Sequence, residues 1–123
     1  MAKVLGIGGF FFKAKEPVAL GKWYQEWLGM ELESDHNSVS FKPAAMPEKA
    51  YSVWAPFKHD TDYFQPSEQQ TMLNLIVDDV AGALSQVKEG GGKIVGEVEE
   101  YDYGTFGWFL DPEGNKVELW MPG

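Results

Sequence analysis

The chain contains no cysteine and only two histidines among its 123 residues. The lack of cysteine excludes disulfide bonds, thiolate catalysis and cysteine-based zinc sites. Basic residues are also few, since ten Lys and Arg stand against nineteen Asp and Glu, giving a formal net charge of −9. A nucleic-acid backbone or an anionic membrane surface requires clustered basic residues, so neither partner is expected. An acidic chain suits a cationic ligand, although acidity also serves solubility.

Long apolar runs are missing as well. No run approaches the roughly 18 residues that a membrane helix needs, and residues 1–7 have no signal-peptide pattern. We therefore expect a cytoplasmic protein. Hydrophobic residues make up 44% of the chain and aromatic residues 15%, which is typical of a folded globular domain. The length predicts one domain with a substantial core.

The first half of the chain predicts a strand, a helix and then further strands. The helix begins at Pro17, repeats its apolar residues with helical spacing, and ends at Gly29. The strands of this half are expected around residues 4–13, 30–33, 39–42 and 51–57.

The same order follows a polar linker at about residues 59–70. Asp78 or Asp79 can cap the second helix, which ends at the glycines from Gly90 onward. Asp-Pro-Glu-Gly-Asn at residues 111–115 predicts a turn between the last two strands. The strands of this half are expected at residues 72–77, 93–97, 105–110 and 116–120. The chain is thus expected to form module 1 (about 3–58), the linker and module 2 (about 71–121).

Several segments of the chain match the pattern of a known superfamily. They are Leu5–Gly8 with Lys15–Pro17, Trp23–Gly29, Val77–Val80, Gly90–Gly92, and Gly104 through Phe109–Asn115 to Glu118–Trp120. In these segments the chain resembles the vicinal oxygen chelate superfamily, which includes glyoxalases, extradiol dioxygenases and bleomycin- or fosfomycin-resistance proteins. The resemblance implies an α+β fold in which two tandem βαβββ modules form a curved mixed sheet around a cavity. It also implies a homodimer and a small-molecule ligand, but it does not fix the reaction.

Metal-using members of the superfamily place donors in the first and last strands of each module. The resemblance puts Gly9 and Met72 at the first-strand positions, and Val53 or Ala55 with Glu118 at the last-strand positions. Only Glu118 supplies an oxygen donor, whereas a catalytic divalent ion usually has about three protein ligands. We therefore expect no metal and no other cofactor.

Glu118 lies in a strand whose side chains alternate between two faces. Val117 and Leu119 are expected to pack under a helix, so Glu118 and Trp120 face the concave side. Aromatic walls with a few polar groups are typical of a small-molecule pocket. The candidate ligand-binding residues are Glu118, Trp120, Trp108, Phe106, Met72, Asn74, Trp54 and Tyr103.

Three functions are compatible with this pattern. The first is a metal-free protein of the drug-resistance type that binds a planar or cationic aromatic compound. The second is a glyoxalase-like lyase or isomerase, or a dioxygenase, with a non-standard metal site built from Glu118 and further ligands such as His36, His59, Asp102 or residues of a partner subunit. The third is a metal-free enzyme in which Glu118, the one catalytic candidate, acts as a general base. Glu118 could also be an inherited ligand position that now pairs with a lysine or with solvent.

Overall fold

The computed structural model describes residues 1–33 and 37–123. In these residues it contains two α-helices, a short 3-10 turn at Pro43–Ala45 and one four-stranded sheet. The helices are α1 (Pro17–Leu28) and α2 (Val80–Glu89), and the strands are β1 (Leu73–Ile76), β2 (Lys93–Tyr101), β3 (Gly104–Leu110) and β4 (Lys116–Pro122). Neither helix combines the length and the apolar character that crossing a membrane requires.

The sheet has the strand order β1-β4-β3-β2. β1 runs parallel to β4, whereas the β4–β3 and β3–β2 pairs are antiparallel, so the sheet is mixed. A register irregularity between Val95 and Glu99 interrupts the β2–β3 ladder, and irregularities of this kind bend a sheet. Strand β4 lies between β1 and β3, so its side chains have neighbours on both sides. Glu118 lies opposite Asn74 of β1 and opposite Trp108 of β3.

Helix α2 covers one face of the sheet. Asp79 caps the helix by accepting a hydrogen bond of 3.0 Å from the backbone N–H of Gly82. The buried residues of the core come from both helices and from the two central strands; they are Leu20, Tyr24, Val80, Ala83, Leu84, Val87, Phe109, Val117 and Leu119. Gly107 of β3 allows the close approach of α2, because a Cβ there would lie 2.7 Å from the Leu84 side chain and 2.9 Å from Val80.

Asp111, at the start of the turn between β3 and β4, holds both the turn and α1. One of its carboxylate oxygens accepts the backbone N–H groups of Glu113 and Asn115, at 2.9 and 3.0 Å. The other accepts the Asn115 side-chain amide and the buried Tyr24 hydroxyl of α1, each at 2.9 Å. Burial, followed by the nearby Asp111 charge and hydrogen bond, raises the pKa of Tyr24. The turn therefore fixes α1 against the sheet.

Glu113 of the same turn satisfies the start of α1. Its carboxylate accepts the backbone N–H of Lys15 at 2.7 Å and that of Glu16 at 2.9 Å. These N–H groups lie where an N-terminal capping side chain would act, and Glu16 itself makes no side-chain cap. The hydrogen bonds from Glu16 and Lys15 lower the pKa of Glu113. The helix is thus capped from a residue almost a hundred positions away.

The structure confirms an α+β fold with a curved mixed sheet, and module 2 has the predicted order of strand, helix and three strands. Helix α1 also begins at Pro17 and ends with Gly29 in the left-handed conformation, as predicted. The prediction of strands in the first half is wrong for the described residues. Within the described residues, that half contains a single isolated bridge, between Glu33 and Ser38, in place of four strands.

The missing strands have a physical explanation. A strand forms only where its backbone N–H and C=O groups pair with a neighbour, and the segments at residues 4–13 and 51–57 lie outside the sheet. Their apolar side chains are exposed, with Phe11 93% accessible and Trp54 80%. The predicted division into modules at about 3–58 and 71–121 stays a prediction.

Candidate functional site

Strand β4 alternates as its sequence predicts. Val117 and Leu119 belong to the core beneath the helices, which places Lys116, Glu118 and Trp120 on the opposite face. Because β4 is central, this face also receives side chains from β1 and β3. We call it the Glu118 face.

The carboxylate of Glu118 accepts three hydrogen bonds from three parts of the chain. Asn74 of β1 donates its side-chain amide to Oε1 at 2.7 Å. The indole N–H of Trp108 on β3 donates to Oε2 at 2.9 Å, and the hydroxyl of Tyr63 donates to the same oxygen at 2.5 Å. Hydrogen bonds to an ionised acceptor are stronger than neutral ones. Glu118 therefore ties the sheet to the linker that carries Tyr63.

Tyr63 lies over the Glu118 face. Its ring stacks on Phe57 with centroids 5.6 Å apart and meets the Trp108 ring edge-on at 6.4 Å. The Lys116 ammonium lies 5.1 Å from the centre of the Tyr63 ring and donates a 2.6 Å hydrogen bond to the Tyr63 carbonyl oxygen. Lys116 therefore hydrogen-bonds the linker backbone, whereas one alternative from the sequence paired Glu118 with a lysine.

The titration properties of this region follow from its burial. Burial and the hydrogen bond to Glu118 both raise the pKa of Tyr63, so the hydroxyl keeps its proton at neutral pH. Burial lowers the pKa of Lys116, and the charges of Glu118 and Asp62 oppose that effect. The face thus presents one carboxylate, one ammonium and a phenol donor among aromatic rings.

A second group of aromatic rings continues along the sheet from Glu118. The rings of Phe106 and Trp120 are nearly parallel at 6.2 Å, and Tyr51 meets Trp120 edge-on at 4.9 Å. Tyr103 packs against Phe106 at 5.8 Å and accepts the Trp120 indole N–H through its carbonyl oxygen at 3.3 Å. The polar centre around Glu118 is therefore bordered by a continuous aromatic surface.

The sequence matches the family described as Glyoxalase-like domain over residues 9–120. The chain belongs to this family. The membership confirms the resemblance to the vicinal oxygen chelate superfamily, and it leaves the substrate open. No curated protein matches the chain.

Two solved structures resemble this glyoxalase-like domain at low similarity. A hypothetical protein from S. aureus shares 25% identity over 43% of each chain, with a TM-score of 0.39. The present chain therefore spans less than half of that protein. A structure from the mobile metagenome of V. Pseudocholerae shares 21% identity over 83% of this chain and 82% of that one, with a TM-score of 0.45. At these TM-scores neither structure bears on the site.

The predicted binding residues of the glyoxalase-like domain fall into three groups. Glu118, Trp108 and Asn74 are in direct hydrogen-bond contact. The second group borders them as the aromatic surface and comprises Phe106, Trp120 and Tyr103. Met72 lies half-buried just before β1, and the exposed Trp54 makes no ring contact with this surface in the described chain. That any of these residues binds a ligand stays a prediction.

Sequence reasoning missed the residues that cover the face. Tyr63 and Phe57 come from the linker and the segment before it, and Tyr51 precedes both by several residues. The one available signal was the presence of aromatic residues in an otherwise polar linker, as in Asp62-Tyr63-Phe64. As a result, the face expected to be an open trough is covered by the chain's own rings. Trp108 and Lys116 beneath the cover are each only 7% exposed, whereas Tyr63 is 38% exposed.

An open depression of about 520 Å³ lies beside the turn between β3 and β4. Residues 13–15 and 66–69 line it, together with Leu110 and residues 113–115 of the turn. Two of the lining residues already have structural partners, since Glu113 accepts the N–H groups at the start of α1 and Asn115 bonds Asp111.

The donor set around Glu118 does not fit a divalent metal ion. Both of its oxygens accept hydrogen bonds, and the groups that face them, from Asn74, Trp108 and Tyr63, direct hydrogens toward the carboxylate. Residues 1–33 and 37–123 bring no three His, Asp or Glu side chains together as a possible ligand set. A divalent metal ion at Glu118 would have to displace these donors without gaining a second anionic ligand.

The superfamily's first-module ligand positions and the alternative metal donors do not join this face. Gly9, Val53 and Ala55 lie in the segments outside the sheet. His59 is exposed in the linker, and Asp102 is exposed in the turn between β2 and β3. His36 lies outside the described residues. A metal-free domain therefore stays our prediction, supported by the chemistry of the donors.

Proposed function

We propose that this glyoxalase-like domain binds a planar or cationic aromatic compound, of the kind found among antibiotics, on the Glu118 face and without a metal. The observation that carries the proposal is the Glu118 carboxylate set between Trp108 and Trp120 and held by the amide of Asn74. A carboxylate in aromatic surroundings accepts a ligand N–H or holds a ligand cation, while indole faces attract the positive charge.

The charge of the chain supports a cationic partner. A formal net charge of −9 raises the local concentration of cations around the whole domain. At the site, Lys116 donates to a backbone carbonyl oxygen, and a ligand N–H or cation would replace the Tyr63 hydroxyl at the Glu118 carboxylate.

Tryptophan fluorescence tests the proposal, since Trp108 and Trp120 flank Glu118. We expect at least one of a panel of cationic aromatic antibiotics to quench the emission with a Kd below about 1 mM, equivalent to roughly 4 kcal/mol. Glu118→Gln, which keeps the shape of the side chain, should weaken the binding of that compound. Absence of quenching by every compound would refute the proposal.

Metal content separates this proposal from a metal-dependent lyase or dioxygenase. We expect protein purified without chelator to contain less than stoichiometric Zn, Ni, Mn or Fe, and its ligand binding to survive EDTA. One tightly bound transition-metal ion per chain, lost together with binding, would favour the enzyme.

We also propose that the domain is a homodimer. The exposed apolar residues at 4–12 and 51–57 exceed what an isolated chain normally leaves in water, and a second copy offers strand partners for both segments. Light scattering should give twice the mass of the 13.8 kDa chain. Replacing Trp54 with Lys should shift the protein toward monomer, whereas replacing the exposed His59 should not.

A further inference from the structure

We propose that Tyr63 occupies the position of the ligand's ring in the free chain, so that the ligand is an aromatic compound carrying a hydroxyl or amine hydrogen-bond donor. This inference rests on the proposed function, because it names the class of ligand for the same site. It also means that the ligand binds in competition with the linker.

The surroundings of Tyr63 have the features of a binding slot. One ring face stacks on Phe57, the ring meets the edge of Trp108, and the hydroxyl reaches a carboxylate oxygen of Glu118. Lys116 and Trp108 form a floor that is nearly inaccessible to solvent. Stacking surface, a buried floor and one directed polar group are the elements that recognise a small aromatic molecule.

The contacts of Tyr63 would allow its side chain to be displaced from the slot. It lies in a turn outside the helices and the sheet, 55 positions from Glu118, and its ring is partly exposed. The backbone hydrogen bonds around it are short-range, as between Gln65 and Asp62 or Thr61 and Lys58. Its polar contacts with the sheet are the hydroxyl on Glu118 and the carbonyl on Lys116.

The hydrogen-bond pattern at Glu118 defines the ligand class. Asn74 and Trp108 belong to the sheet and keep their hydrogen bonds to the carboxylate when the linker moves. Only the Tyr63 position at Oε2 is then vacated, and an acceptor left there requires a donor. A phenol, an aniline or a protonated aromatic amine supplies one, whereas a plain hydrocarbon ring does not.

The change in ligand affinity on removing Tyr63 shows whether Tyr63 fills the ligand's position or contacts the bound ligand. If Tyr63 fills the slot, its removal increases the fraction of chains that are competent to bind, and the apparent affinity rises in proportion. A hydrogen bond to a charged acceptor corresponds to about a tenfold or larger effect on such an equilibrium. If Tyr63 instead contacts the ligand, its removal weakens binding.

The first experiment titrates the panel compound that quenches the wild-type protein into two Tyr63 variants. Tyr63→Ala should bind it about tenfold more tightly or better, and Tyr63→Phe, which keeps the ring but loses the hydroxyl, should show a smaller gain. His59→Ala is the matched control, because it alters an exposed residue of the same linker and leaves Tyr63 in place. Unchanged or weaker binding by both Tyr63 variants would overturn the inference while leaving the proposed function intact.

The second experiment tests the donor requirement with p-cresol and toluene, which differ only in the hydroxyl. The indole N–H resonance of Trp108, assigned with Trp108→Phe, reports binding. In Tyr63→Ala we expect p-cresol to bind about tenfold more tightly than toluene. Equal affinities would refute the ligand class. If no panel compound binds the wild type or either Tyr63 variant, the proposed function fails. Tighter binding of p-cresol than of toluene would then still support the ligand class at the Tyr63 position, and equal affinities would refute it.

Discussion

Exchanging the donor and acceptor between Glu118 and Asn74 tests the geometry on which the site depends. In Glu118→Gln, the new carbonyl oxygen can keep both donors at the Oε2 position, and the new amide faces Asn74, whose exposed side chain can turn to accept it. Three charge-assisted hydrogen bonds become neutral ones, each losing about 1 kcal/mol at most. Because the site is half-exposed, we expect a loss of about 1–2 kcal/mol in the free energy of unfolding.

Asn74→Asp should be more harmful than Glu118→Gln. It removes the 2.7 Å hydrogen bond and places two carboxylates opposite each other on adjacent strands. After a discount for exposure, the lost bond and the repulsion together amount to about 2–4 kcal/mol. The double variant Glu118→Gln/Asn74→Asp restores one donor opposite one carboxylate, and we expect it to lie only about 1 kcal/mol below the wild type.

Urea unfolding of the four proteins measures this cycle. The expected coupling is about 2 kcal/mol or more, which corresponds to about 8 °C in Tm for a chain of this length. Glu118→Gln combined with Asn115→Asp is the control, since Asn115 bonds Asp111 and the two effects should add. Additivity of the Glu118 and Asn74 changes would refute the hydrogen bond between them.

Three further predictions concern the support of the sheet. Gly107→Ala should destabilise the domain by about 1–3 kcal/mol, because the added methyl group clashes with α2; a neutral result in urea unfolding would contradict the close packing. Tyr24→Phe should cost about 1.5–3 kcal/mol by removing a buried hydrogen bond to Asp111, and an unchanged Tm would count against it. The lowered pKa of Glu113 stabilises the fold above the ordinary carboxyl value of roughly 4.3 and loses that effect as the pH falls through its folded value. Glu113→Gln should therefore make thermal stability less dependent on pH in that range, and an unaltered pH profile would argue against the cap.

Module 2 could be predicted because its signals are local. The apolar stripe of α2, the cap at Asp79 and the alternation of β4 each follow from neighbouring residues, and the structure confirms them. The same alternation correctly placed Glu118 opposite the helix face. The ends of strands were predicted less accurately, since β2 extends to Tyr101 whereas the predicted strand ends at residue 97.

The remaining features depend on partners that sequence spacing does not reveal. The first-half strands were expected from composition, but strand formation needs a neighbouring strand, and these segments have none within the described chain. Tyr63 and Glu118 are 55 positions apart in the sequence, yet their side chains form a hydrogen bond. Lys116 donates to the backbone carbonyl oxygen of Tyr63 rather than to the nearby carboxylate. Neither contact has a periodic signature.

The turn at residues 111–115 has a consequence for how domains of this kind diversify. Its carboxylates serve α1 and the backbone, and they lie apart from the aromatic surface around Glu118. Similarity between two chains at this turn therefore indicates a shared fold. It gives no information about which ligand either chain binds. Under the proposed function, we expect two chains with the same turn to differ in their ligands through the linker residues that cover Glu118.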